Sequence, residues 1–256
     1  MLLGMATLES PAEASVVAQV PKQLYIAGVW RDATGGGTLD VVDPSTGEAI
    51  AAVADATPED AMAALTAADE AQRRRLREQY QIPQQAHCLV FVGSGFERKG
   101  LAAAIRAVAV TDSHLLVVGK DKAEKRYRAL AQSLGCGDRI HFMGVQKQTL
   151  PFYQAADALL LPTLYDPFPN VILEAMSCGL PVITSTTCGG AEFITPGQNG
   201  FVTDALDVPA ITEAIRALPR QALGSSMGEA ARLRIMTATP AHLSEQLISL
   251  YNRLLD

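Results

Sequence analysis

From about Arg73 onward the chain alternates short apolar runs with amphipathic stretches, and this alternation constrains the fold more than any other feature. CLVFVG, HLLVVG, IHFMG, ALLLP and PVITS are apolar runs of strand length. KGLAAAIRAVA, KAEKRYRALAQSLG, TLPFYQAAD and NVILEAMSCG fall between them with helical spacing. Strands buried on both faces and joined by helices form right-handed βαβ units, so the prediction is an α/β fold with one parallel sheet covered by helices on both faces. VPAITEAIRALP and AHLSEQLISLYNRLL read as closing helices. With 256 residues, 48% of them hydrophobic, the chain is long enough to bury such a core in one or two domains.

The preceding part follows a different grammar. LYIAGVW alternates loosely as a strand, TGGG turns, TLDVVDP is a second strand, and PSTGEAIAAVA turns into a third. Thr57 caps a helix that has Pro58 in its first position and Glu59 and Asp60 in its opening turn, and AMAALTAADEA continues it. A helix-like run, RRRLREQY, leads to a turn around Pro83. The expected division is residues 1–72 as a small β-hairpin and helix segment, and residues 73–256 as the parallel-sheet domain.

The net charge of −6 and the absence of a basic tract argue against a nucleic-acid partner. Arg73, Arg74, Arg75 and Arg77, followed by Glu78, read as a solvated helix face. Cys88, Cys136, Cys178 and Cys188 match no zinc or CxxC spacing and read as reduced structural residues, which suits a cytoplasmic location. The opening run MLLGMATLESPAEASVV has no basic n-region, and Glu9, Pro11 and Glu13 interrupt it, so it is not read as a signal peptide. No apolar run approaches the ~20 residues of a membrane span. His87, His114, His141 and His242 fall in strand-like or helical settings and receive no role.

In a parallel sheet of this kind the ligand crevice lies at the carboxyl ends of the strands. The loops GSGFERKG, GKDK, GVQK, PTLYDPFPN and STTCGGAE all fall on that rim. In GSGFERKG, Gly93 and Gly95 stand with Arg98 and Lys99 just before a helix, an arrangement suited to a phosphate or diphosphate. It reads equally as an ordinary strand-to-helix turn with solvated charges. A P-loop requires Lys-Ser or Lys-Thr after its second glycine, whereas Leu101 and Ala102 follow Gly100. A dinucleotide fingerprint fails at Arg98, although Asp121 stands where a ribose-binding acid belongs.

In DPFPNVILEAMSCGLPV, Asn170 suits an N-cap, Val171 to Cys178 suit a helix, Gly179 suits the C-terminal cap, and Pro181 stops continuation. Asp166 and Glu174 are left over. Carboxylates accept hydrogen bonds from hydroxyls, so an acid pair beside a phosphate site fits a ligand rich in both, such as a nucleotide sugar. The alternative is that Glu174 complements the helix dipole and Asp166 caps a turn.

REQYQIPQQAHCLVFVGSGFERKG, LLVVGKDK, IHFMG, LPTLYDPFPNVILEAMSCGLPVITSTTCGGAEFI and GQNGFV together resemble the C-terminal, donor-binding domain of retaining GT-B glycosyltransferases of group 1, in particular the lipopolysaccharide core glucosyltransferases. The resemblance implies a single Rossmann-like domain, half of a GT-B fold. That family carries two glutamates separated by seven residues. Here they correspond to Asp166 and Glu174, the first shorter by one methylene. By resemblance, Glu174 binds ribose hydroxyls, and Asp166 with the backbone of Pro167, Phe168, Pro169 and Asn170 holds the donor sugar. Lys99 and the amides of Asn170 and Val171 meet the diphosphate. Many members place an arginine directly after the strand glycine; here Ser94 stands there, before Gly95, and Arg98 is the candidate second cation. The implied reaction moves a hexose, with retention, from a nucleotide-diphosphate sugar, expected to be UDP-glucose, to a glycan acceptor such as lipopolysaccharide core. No metal is obligatory, because fixed positive groups stabilise the departing diphosphate. No catalytic residue is assigned. The implied location is the cytoplasm, at most peripheral on the inner membrane.

The segment KQLYIAGVWRDATGGGTLDVVDPSTGEAIAAVADATPEDAMAALTAADEA resembles the amino-terminal start of aldehyde dehydrogenases, ending near Gln72. No cysteine lies in that family's active-site context, so dehydrogenase activity is not expected. This fragment stands where a GT-B enzyme has its acceptor domain. Three readings stay open: the donor half of a glycosyltransferase, a chimeric or truncated nucleotide-sugar-binding module without turnover, and an interaction scaffold whose hairpin edges pair with another chain.

Overall fold

The computed structural model describes residues 16–221, 224–236 and 248–249, apart from the side chains at 62, 65, 67 and 68. His242 and nearly all of the second closing run lie outside them. The chain divides between Ala71 and Gln72 into two compact units.

The first unit holds two separate hairpins. LYIAGVW is not one strand but two, β1 (Leu24–Ile26) and β2 (Val29–Arg31), because Ala27 and Gly28 both adopt positive φ, 55° and 83°, and turn the chain back on itself. β3 (Thr38–Val42) and β4 (Ala49–Ala54) form the second hairpin, and all five residues of β3 are exposed. The helix α1 (Pro58–Gln79) opens on a reciprocal cap: the Asp60 amide donates to Thr57 Oγ1 at 3.3 Å, and the Thr57 amide donates to Asp60 Oδ2 at 3.0 Å. The hydroxyl and amide of Thr34 and Nη2 of Arg31 also donate to Asp60. The bonds from Thr34, its hydroxyl foremost, and from Thr57 hold the Asp60 carboxyl far below the ordinary range. α1 runs through the position where the two units divide. Nothing between Glu59 and Gln79 is glycine or proline, so the two helical runs are one helix.

The second unit carries the parallel sheet. Its strands are β5 (Cys88–Val92), β6 (His114–Val118), β7 (Ile140–Gly144), β8 (Ala158–Leu161), β9 (Val182–Ser185) and β10 (Gly200–Thr203). They lie in the order β10-β9-β8-β5-β6-β7, and every neighbouring pair is parallel. β10 was not among the five expected strands. It is an edge strand of four residues, three of them only partly buried, and so lacks the apolar run that marks the others. β5, β8 and β9 are buried at every residue. Each fully buried Leu, Val or Phe here contributes ~1.5–3 kcal/mol relative to exposure.

The helices are α2 (Leu101–Ala109), α3 (Glu124–Ser133), α4 (Leu150–Ala155), α5 (Val171–Ser177), α6 (Val208–Ala217) and α7 (Ser226–Met236). α2 buries Leu101, Ala103, Ala104, Ile105, Ala107 and Val108, a broad face of mostly small residues that packs against both α3 and α6. α5 packs against α7. From β5 the chain steps outward through β6 and β7, then returns to the other side of β5 at β8 and steps outward again. Right-handed crossovers running in opposite directions put their helices on opposite faces, and the reversal between β5 and β8 is the place where sheets of this kind bind ligands.

At the opposite end of these two strands lies a buried ionic node. Asp157 is fully buried, and its carboxylate receives Arg73, Arg77 Nη2 at 2.8 Å and the amide of Cys88 at 2.8 Å. Arg73 Nη1 also donates to Ala156 O at 2.6 Å, and Arg77 donates to the carbonyls of Ala155, Gln84 and Ala86 at 3.0, 2.8 and 2.8 Å. The expected solvated arginine face is therefore wrong for Arg73 and Arg77, which are buried; only Arg74 and Arg75 are exposed. Positions 73 and 77 are four apart on one helix face, and the pair finds in Asp157 and four carbonyls the partners that a buried charge requires. Removing one member strands the others in low dielectric. Arg77→Ala or Asp157→Ala is predicted to cost about 3–5 kcal/mol in urea denaturation, and Arg74→Ala less than about 0.5 kcal/mol. Equal, small effects at positions 74 and 77 would contradict the node.

Candidate functional site

The loop after β5 is anchored by Phe96, which is fully buried, edge-on to Phe91 and Tyr127 at centroid distances of 6.0 and 5.6 Å. Its amide donates to Asp121 Oδ2 at 2.8 Å, while Asp121 Oδ1 accepts the Ala123 amide at 2.7 Å. Asp121 thus braces the loop with both oxygens and does not stand as a ribose-binding acid. Ser94 and Gly95 are exposed at the loop's tip, and Lys99 closes it through its amide to Gly95 O at 3.1 Å. The Lys99 side chain then lies back across Gly93. A Cβ at Gly93 would come within 2.9 Å of Lys99 Cε, and its φ of +146° is itself unfavourable for other residues.

The loop after β8 is stitched to this one. Arg98 O accepts Thr163 Oγ1 at 2.9 Å and the Leu164 amide at 2.8 Å. The loop after β9 supports the same segment from the other side: the Gly189 amide donates to Asp166 O at 2.9 Å, and a Cβ at Gly189 would sit 1.7 Å from Pro167 O. These contacts hold Asp166 where Lys99 Nζ and Arg98 Nη1 each reach its Oδ2 at 2.9 Å. Arg98 Nη1 also donates to Tyr165 O at 2.8 Å. Lys99 and Asp166 are buried, Arg98 half-exposed. Burial alone would raise the Asp166 pKa, but the hydrogen bonds and charges of Lys99 and Arg98 outweigh it and lower it below the ordinary value.

Glu174, in α5, has different partners. Its Oε2 accepts Tyr153 Oη at 2.8 Å and Thr149 Oγ1 at 3.3 Å. Burial, followed by the bond and charge of Glu174, pushes the Tyr153 phenol far above its ordinary pKa, so it remains a proton donor to the carboxylate. The structure thus brings Arg98, Lys99 and Asp166 into direct contact and places Glu174 on Tyr153 and Thr149. Neither of those hydroxyls was singled out from the sequence, and no local pattern ties TLPFY to a helix some twenty residues later.

Asn170 occupies the N-cap position, but its side chain makes no capping bond. Its φ and ψ of −54° and −26° are already helical, whereas a capping side chain needs an extended backbone. α5 ends at Ser177 rather than Cys178, and Gly179 follows at φ +72° as expected of a C-terminal cap. Pro167 and Phe168 are exposed, with Phe168 edge-on to Phe193 at 5.7 Å; Pro169 is buried and Val171 partly so.

Among the described residues, no three His, Cys, Asp or Glu side chains gather as a metal-holding group. Among them also, no helix is long and apolar enough to cross a membrane. Cys88 is fully buried, and burial pushes its thiol up to about 12, which removes it as a nucleophile. Burial likewise raises the Cys136 thiol.

The model of the family described as glycosyl transferases group 1 matches residues 72–234. The chain belongs to this family. A second model, the aldehyde dehydrogenase family, matches residues 30–104. It runs past Gln72, where the resemblance was expected to end, into the β5–loop–α2 unit that the group 1 model also covers. Among group 1 relatives, the lipopolysaccharide glucosyltransferase WaaG of Escherichia coli (strain K12) is 35% identical over 160 residues, spanning 60% of this chain and 42% of that protein. A crystal structure of WaaG superposes with a TM-score of 0.57 at 34% identity, over 65% of this chain and 47% of the other. A structure of Anabaena Alr3699/HepE in complex with UDP-glucose gives a TM-score of 0.56 at 25% identity, over 70% of this chain and 53% of the other. The chain therefore spans about half the length of the relatives it matches.

The Asp166 pair has a pH signature. A depressed folded pKa gives stability that is present above the ordinary carboxylate range and lost as pH falls through the depressed value. Asp166→Asn is predicted to lower the urea midpoint at pH 7, and its deficit to shrink as pH falls below the ordinary carboxylate range. A deficit that stays constant on acidification would contradict the pairing.

Proposed function

We propose that this chain is the donor half of a glycosyltransferase that takes a hexose from a nucleotide-diphosphate sugar, UDP-glucose, and delivers it with retention to a glycan acceptor such as lipopolysaccharide core. The observation that carries the reading is a buried lysine, Lys99, at the point where the strand order reverses, aimed with Arg98 at one oxygen of Asp166. A buried cation at a sheet's carboxyl edge suits a diphosphate, and each charge-assisted bond to it contributes about 1.5–3 kcal/mol. Lys99 and Arg98 then stabilise the charge that develops on the departing nucleoside diphosphate, so the step needs no obligatory metal. Glu174, oriented by Tyr153 and Thr149, offers its carboxylate to the ribose hydroxyls. Asp166 offers its own to the donor sugar. The WaaG relative, a lipopolysaccharide glucosyltransferase, and the HepE complex with UDP-glucose support this choice of acceptor and donor.

A second reading follows from the share of the relatives that the chain spans, 42% of WaaG. Transfer requires the acceptor to be held against the donor, and positioning is a large part of the rate enhancement. On that reading the chain alone binds a nucleotide sugar with little turnover.

Calorimetric titration tests both. The chain is predicted to bind UDP-glucose saturably, with Lys99→Ala and Glu174→Ala each weakening binding at least about tenfold and Tyr153→Phe about three- to tenfold, the loss of one hydrogen bond. No saturable binding by the parent chain, or unchanged binding by Lys99→Ala, would overturn the assignment. Sugar transfer or hydrolysis by the chain alone separates the first reading from the second.

A further inference from the structure

We propose that Asp166 competes with the incoming diphosphate for Lys99 and Arg98, and thereby sets a preference for a sugar-bearing nucleotide over the bare nucleoside diphosphate. This inference rests on the donor-site reading above and concerns how that site chooses its ligand.

Both cations converge on a single oxygen, Asp166 Oδ2, at 2.9 Å each. One charged oxygen with two cationic donors is the arrangement a non-bridging phosphate oxygen would occupy, so the carboxylate stands in for the ligand. The side chains of Lys99 and Asp166 are about 10% and 9% exposed, so the closed pair leaves little of either open to a ligand. The main chain of Asp166 is fixed, through its carbonyl to the Gly189 amide at 2.9 Å and through its neighbour Pro167, whose carbonyl packs on the bare α-carbon of Gly189. Opening therefore turns the side chain and leaves the loop in place.

The two ligand classes then differ in what the displaced carboxylate finds. Beside a bare diphosphate it faces added negative charge at short range and gains no new donor. Beside a nucleotide sugar it meets sugar hydroxyls, which donate to it in place of the two cations. Displacement thus opposes binding of the bare diphosphate and is offset only when a polyhydroxyl group arrives with it. A site built this way also releases the nucleoside diphosphate readily once the sugar has left.

The test is calorimetric titration of wild type and Asp166→Asn with UDP, UDP-glucose and inorganic pyrophosphate. Asparagine keeps the shape and removes the charge. The expected result is that Asp166→Asn binds UDP at least about tenfold more tightly than wild type (about 1.4 kcal/mol), gains less for UDP-glucose, and loses the gain when Lys99→Ala is added. Asp166→Ser, which also removes the charge, repeats the test if the asparagine variant does not fold. UDP binding that is unchanged or weaker in the folded variant overturns the competition, and if wild type still binds UDP-glucose the donor-site reading survives. If wild type binds neither nucleotide but Asp166→Asn gains pyrophosphate binding, the competition stands and the nucleotide-sugar reading falls.

Discussion

The fixed point of the parallel-sheet unit is the carboxylate of Asp157. It sits where β8 begins, accepts the amide that begins β5, and is neutralised by two arginines from one face of α1. β5 and β8 are the two strands between which the chain reverses its direction of travel across the sheet. Fixing their starts in register fixes their ends, because the strands are short and buried throughout. A buried charge cluster is a poor source of net stability, since desolvation consumes most of the Coulombic gain. Its effect here is specificity: only one register of β5 on β8 leaves Asp157, Arg73 and Arg77 all partnered.

The consequence appears at the other end of the same strands. The loops after β5 and β8 emerge side by side, and the carbonyl of Arg98 joins them by accepting from Thr163 and Leu164. That seam delivers two cations to one carboxylate. The third loop, after β9, fixes the main chain of Asp166 through Gly189. Glu174 is held separately by hydroxyls from the segment that opens α4. The candidate site thus has an ionic part, Arg98, Lys99 and Asp166, and a hydroxyl-ordered part, Glu174 with Tyr153 and Thr149.

Much of this was legible in the sequence, and the gaps have physical reasons. Mostly apolar runs marked strands β5 to β9, and the loops after them could be assigned to one rim because parallel strands leave no choice of edge. The signals that failed were those set by tertiary contact. Arg73 and Arg77 read as surface residues because their partners, Asp157 and the carbonyls of Gln84, Ala86, Ala155 and Ala156, come from elsewhere in the chain. Asn170 has the composition of a cap without its backbone. Tyr153 and Thr149 carry no local mark of their bond to Glu174. β10, only partly buried at three of its four residues, lacks the apolar run that made the other strands stand out. In the first unit the turn at Ala27 and Gly28 hides within an apparently continuous strand, since alanine gives no warning of a positive φ.

The central claim is that Lys99 holds a diphosphate at the seam between the two loops and that Asp166 yields its place there. A crystal structure of the chain with UDP-glucose tests it most directly. The account predicts a phosphate oxygen within about 3 Å of Lys99 Nζ, the Asp166 side chain rotated onto the sugar, and Glu174 still bonded to Tyr153. A nucleotide bound elsewhere, or a complex in which Lys99 remains paired with Asp166, would contradict it.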